Sequence, residues 1–111
     1  MTEVESARSE SRAKILKALA HPSRLYIVEK LAEKPYCVHE LTSLIGADTS
    51  TVSKHLSVLK NAGIIADRKS GTLVFYSLEA PCLLRLLECA ETVIRQNIQK
   101  QLASLSSTPS G

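Results

Sequence analysis

Two sets of residues in this chain could do chemistry. The first is the three cysteines, Cys37, Cys82 and Cys89. Thiolates are soft ligands and nucleophiles, so they select ions such as arsenite, cadmium or lead, or they react with oxidants. Cys37 opens the run Cys37-Val38-His39-Glu40-Leu41 at an expected helix start, where the positive end of the dipole favours a thiolate. Cys82 and Cys89 both fall on the expected last helix, on one face but about 10 Å apart along the axis at ~1.5 Å per residue. A metal–sulfur bond is only ~2.3 Å. One ion therefore holds both only if the helix frays near Pro81; otherwise only one of them joins Cys37. The same separation excludes a disulfide between them on an intact helix. Plain packing competes with these readings, because free cysteine behaves as a small hydrophobe. Cys89, on an apolar stripe, fits packing better, whereas the position of Cys37 favours function. His39 suits the surface, and His21, before Pro22, suits a helix junction.

The second set is Thr49, Ser50, Ser53, Lys54 and His55, followed by Arg68 and Lys69. Hydroxyls are short and both donate and accept, so they suit a close approach to base edges or phosphates. Lys54 and His55 add longer contacts, with His55 at least as well suited to a phosphate as to a base. Arg68-Lys69-Ser70-Gly71 would be a solvated turn if it stood alone. Directly after a polar-faced helix it reads as a basic ribbon tip for phosphates or a minor groove.

The elements that must position these residues are legible. Helical spacing begins near Ser6, with Ala13, Ile15, Leu16, Leu19 and Ala20 apolar, and stops at His21-Pro22. Pro22 opens a second helix carrying Leu25, Ile27, Val28 and Leu31, which Lys34-Pro35 ends. A short helix over 38–45 turns Leu41, Leu44 and Ile45 inward, and Gly46 stops it. Asp48 or Thr49 caps a fourth helix, whose Val52, Leu56 and Leu59 form one stripe opposite Ser50, Ser53, Lys54 and Ser57. Asn61-Ala62-Gly63 ends it. Two strand-like runs, 64–68 and 72–78, flank a Ser70-Gly71 turn. A long last helix begins near Pro81. The expected fold is mainly α with a small β-hairpin, a winged helix-turn-helix in the order α-α-α-α-β-β-α. Residues 1–5 are expected to be a flexible N-terminus, 6–103 one DNA-binding and dimerisation domain, and 104–111 a disordered tail.

Composition narrows the function classes. At 111 residues the chain buries a modest core, which dimerisation would extend. A net charge of +3 is too small to establish nucleic-acid binding by itself, so the placement of charge decides. No apolar run is long enough for a membrane span, and the polar N-terminus does not resemble a secretion signal, so the expected location is the cytoplasm. An odd number of cysteines there argues against a disulfide framework. There is no Gly-rich phosphate loop, acid–base pair or nucleophile with a nearby base, which argues against an enzyme.

With these residues in place, the segment from Lys17 to Leu78 resembles the ArsR/SmtB family of bacterial repressors. The likeness is carried by LKALAHPSRLYIVEKL, CVHEL, STVSKHLSVLKNAGII and DRKSGTLVFYSL, and with the last helix it spans about residues 8 to 100. It implies a homodimeric winged-helix repressor on double-stranded operator DNA, paired through its first and last helices. It also implies release by a metal, metalloid or thiol-reactive signal, with no permanently bound cofactor. Many members carry Cys-x-Cys where this chain has Cys37-Val38-His39, so Cys37 matches the first ligand and His39 replaces the second. At the positions of the family's zinc site on the last helix stand Ala80, Cys82, Val93 and Gln96, of which only Cys82 could bind a metal. The expected metal ligands are therefore Cys37, Cys82 and Cys89, with As(III) first and Cd(II) or Pb(II) next. Two other readings stay open: a redox or sulfide switch through cysteine oxidation, and a partner-binding winged helix without small-molecule input.

Overall fold

The structure, a computed structural model, describes residues 1–106. The order is α1 (Glu3–Leu19), α2 (Pro22–Glu33), β1 (Tyr36–Cys37), α3 (Val38–Ile45), α4 (Thr49–Asn61), β2 (Ile65–Ser70), β3 (Leu73–Leu78) and α5 (Leu83–Ser106). Two compact units result, residues 1–81 and the chain from Cys82 onward. In the first unit, Ile27, Val28, Leu31, Leu41, Val52, Leu56, Leu59, Ile64 and Ile65 form the core. α2, α3 and α4 bury apolar side chains there, and that burial supplies the main drive for folding.

Local chemistry sets the boundaries. α1 starts at Glu3 rather than near Ser6, because Thr2 and Glu5 form a capping box. The Thr2 hydroxyl accepts the Glu5 N–H at 3.1 Å, and the Glu5 carboxylate accepts the Thr2 N–H at 3.0 Å. The segment expected to be loose is thus capped helix. α3 ends at Gly46, whose φ of 78° suits a residue without a side chain, and its N–H closes on the Thr42 carbonyl at 2.9 Å. Leu44, expected inside, stands 45% exposed on α3.

The sheet has three antiparallel strands in the order β1-β3-β2, one more than the expected hairpin. The extra strand, β1, sets Tyr36 opposite Tyr76 and Cys37 opposite Phe75. β2 and β3 meet around Gly71-Thr72, one residue later than the expected turn, with Ser70 opposite Leu73. Gly71 has φ 65°, and among the described residues only glycines have positive φ, the pattern of a type II′ turn. At the root of the ribbon Ile64 and Ile65 are buried. The Ile64 N–H binds the Leu59 carbonyl at 3.0 Å, and the Ile64 carbonyl accepts the N–H groups of Glu79 and Ala80 at 2.9 and 3.3 Å.

In the second unit, α5 begins at Leu83 and runs to Ser106, past the expected limit of 103. Of the expected tail, 104–106 are helical and 107–111 lie outside the described residues.

Candidate nucleic-acid interface

α4 has the two faces that a groove-entering helix needs. Val52, Leu56 and Leu59 are buried, with 0%, 1% and 0% exposure, which holds the helix against the core. Thr49, Ser50, Ser53, Lys54 and Ser57 are exposed on the other side. Asp48 caps the N-terminus by accepting the Thr51 N–H at 3.0 Å, and that hydrogen bond holds its carboxyl below the usual carboxylate range. α3 packs against α4 across the turn 46–48, giving the two helices of a helix-turn-helix.

His55, the remaining expected contact on this helix, points elsewhere. Its ring is half-buried and sits 4.3 Å from the ring of His21, with Nδ1 3.3 Å from a guanidinium nitrogen of Arg24. Burial first, then His21 and Arg24, push its pKa below the ordinary histidine value. The side chain belongs to the packing beneath α4, not to its exposed face. Arg24 carries no signal in the sequence. It bridges α1, α2 and α4, and no spacing rule marks such a residue.

The ribbon presents Arg68 and Lys69, both exposed, on β2 just before the turn. As neighbours in a strand they leave opposite faces of the ribbon. Lys60 at the end of α4 pairs with Asp67 on β2 at 2.9 Å, tying the helix to the ribbon.

Of the cysteines, Cys37 stands at a helix start as expected, and Cys89 departs from expectation. Cys37 is the N-cap of α3 and only 6% exposed. Its N–H donates to Glu40 Oε1 at 3.0 Å, and that bond holds the Glu40 carboxyl below its usual range. Cys89, expected to pack as a hydrophobe, is exposed on α5, and Cys82 is exposed in the turn before it. The Cys82 carbonyl accepts the Arg85 N–H at 3.2 Å, so Cys82 stands outside the regular helix that the seven-residue spacing assumes. His39 is exposed at the start of α3, on the surface as expected. Among the described residues, no three His, Cys, Asp or Glu side chains form a group able to hold a metal ion.

A cored helix-turn-helix followed by a basic ribbon agrees with what comparison with known proteins finds. Residues 21–67 match the model of the bacterial regulatory protein arsR family. The HTH-type transcriptional regulator Rv0081 of Mycobacterium tuberculosis is 37% identical over 101 residues, covering 90% of this chain and 89% of its own. The chain belongs to the ArsR family. It is accordingly a DNA-binding transcriptional regulator and not an enzyme, with α3 and α4 as its helix-turn-helix and the β2–β3 ribbon as its wing. The crystal structure of Rv0081 superposes on this ArsR-family chain with a TM-score of 0.73 at 33% identity, over 92% of this chain and 99% of the other. A Staphylococcus aureus homologue of the cadmium resistance transcriptional regulatory protein CadC is 42% identical over 70% of this chain and 65% of its own. The solution structure of a homodimeric winged helix-turn-helix domain from Mycobacterium bovis gives a TM-score of 0.75 at 26% identity, over 90% of this chain and 93% of the other. No helix among the described residues is long and apolar enough to cross a membrane.

Proposed function

We propose that this protein is a homodimeric repressor that leaves its operator when a thiophilic ion binds its cysteines. The observation that carries the reading is the place of Cys37. It caps α3, the helix packed against the reading helix, and pairs with β3, the second strand of the wing. Taking this thiol into a metal–sulfur bond disturbs the N-cap and the β1 pairing together, and through α3 it shifts α4 out of its DNA-binding pose. Soft donors favour arsenite first, and cadmium or lead next, with Cys82 and Cys89 as the further ligands. The cadmium-resistance name of the Staphylococcus relative supports ion control. Thr49, Ser50, Ser53 and Lys54 meet the groove, and Arg68 and Lys69 meet phosphates. Pairing of two copies through α5 and α1 sets two reading helices on a near-palindromic site.

A second reading has its own support. Cys82 and Cys89 are exposed and open to oxidants, which suits a redox or sulfide switch. Titrating the protein–operator complex with arsenite, cadmium and lead, in parallel with peroxide and polysulfide, separates the two. The ion reading expects release by an ion, and Cys37→Ser should bind the operator as wild type does but no longer respond. Release by the oxidants alone would establish the redox reading instead. An unchanged cellular response after replacing all three cysteines would leave a winged helix governed by a protein partner.

A further inference from the structure

We propose that Arg24, His21 and His55 form a proton-sensitive latch that positions the reading helix, closed when both rings are neutral and opened when either takes up a proton. The proposal rests on α4 being the helix that meets DNA.

Arg24 stands at the corner where α1 ends and α2 begins. Its Nε donates to the Ala18 carbonyl at 2.6 Å, and one terminal nitrogen donates to the Lys17 carbonyl at 3.4 Å. Both carbonyls lie in the last turn of α1, and that of Lys17 also accepts the Ala20 N–H at 3.2 Å. The other terminal nitrogen faces His55 Nδ1 at 3.3 Å. A guanidinium has only donors, so Nδ1 of His55 must be the bare, accepting nitrogen. His21 is placed likewise: as N-cap of α2, its Nδ1 accepts the Ser23 N–H at 3.0 Å. Each ring can therefore gain a proton only at the nitrogen it is using as an acceptor. Protonation of His55 sets donor against donor at Arg24, and protonation of His21 removes the cap of α2. Either adds a second positive charge to a cluster whose rings are 4.3 Å apart.

No described carboxylate is bonded to the cluster to offset that charge. His21 and Arg24 are the groups that act on His55. Lys54 on its own helix and Lys14 and Lys17 on α1 have exposed side chains. On α3, His39 is exposed and Glu40 holds the Cys37 N–H. On β2, Asp67 is paired with Lys60, and Arg68 and Lys69 are exposed. The depressed pKa of His55 fixes the sign. Its contribution is complete above the ordinary histidine value and is lost as pH falls from there through the lowered one. A histidine serving as a cationic phosphate contact behaves in the opposite sense and strengthens DNA binding in acid.

The test measures binding of a duplex selected by the protein from a random-sequence pool, between about pH 8 and pH 5.5, at several salt concentrations. Amide exchange along α4 in the free protein is followed over the same range. Wild-type affinity should fall roughly threefold or more below about pH 6, with faster exchange in α4. The double variant His21→Asn, His55→Gln keeps both acceptors without titrating, and both profiles should flatten. Arg24→Ala should weaken binding about tenfold at every pH, with an unchanged salt slope, because Arg24 touches no phosphate. Tighter binding in acid, a titrating double variant, or a shallower slope for Arg24→Ala overturns the latch. If the duplex is not bound at all, α4 exchange still decides. Acceleration in acid that the double variant abolishes leaves the latch standing while the DNA reading fails, and pH-independent exchange rejects the latch itself.

Discussion

α4 and α5 carry apolar stripes of similar chemistry, yet only one is buried. In α4, Val52, Leu56 and Leu59 vanish into the core of residues 1–81, and the opposite face is left polar. In α5, Leu86, Val93, Ile94, Ile98, Leu102 and Leu105 recur at helical spacing with 40% to 74% exposure, and the helix has no buried residue. The contrast separates two kinds of information. The folding of one protomer completes the purpose of α4. A surface of this size and apolarity on α5 makes sense when a second copy covers it.

Substitutions can break that contrast, the largest effect first. Leu56→Ala leaves a hole beneath the reading helix and should cost about 2–5 kcal/mol, a large share of the stability of a small domain. Chemical denaturation measures it, and a loss under ~1 kcal/mol would mean that α4 is not anchored as described. Ile94→Glu should leave the helical signal of the protomer intact but separate the dimer in sedimentation, lowering operator affinity roughly 100-fold because avidity disappears. An unaffected dimer would place the pairing surface elsewhere. Lys54→Ala removes one long cation from the exposed face of α4, and anisotropy titration should show binding weakened about tenfold with stability unchanged. The double change Arg68→Ala, Lys69→Ala should have the smallest effect at low salt. Its signature is a logarithmic salt slope shallower by about one for each phosphate no longer neutralised, and an unaltered slope would remove the wing from the interface.

Much of this architecture is legible in the residues. Gly46 and Asp48 mark the turn between α3 and α4 through backbone freedom and capping, both local effects. The stripe of α4 shows in its period. β1 is not legible, because two residues have no strand pattern of their own and become a strand only by pairing with β3. The Thr2–Glu5 capping box is readable from its spacing, yet the polar residues around it mask the start of α1. Arg24 is out of reach, since its partners come from two helices other than its own. The exposure of Cys89 is opposite to expectation because an apolar helical stripe does not say which neighbour will cover it.

The root of the wing carries a consequence for the DNA. Ile64 is fixed on one side to the last turn of α4 and on the other to the chain leaving β3, and Ile65 beside it is sealed in the core. Helix and ribbon therefore work like the two jaws of a calliper set to one opening. With α4 in the groove and the ribbon on phosphates, as proposed, a half-site lengthened or shortened by one base pair between those two contacts should be rejected even when every base the helix touches is correct.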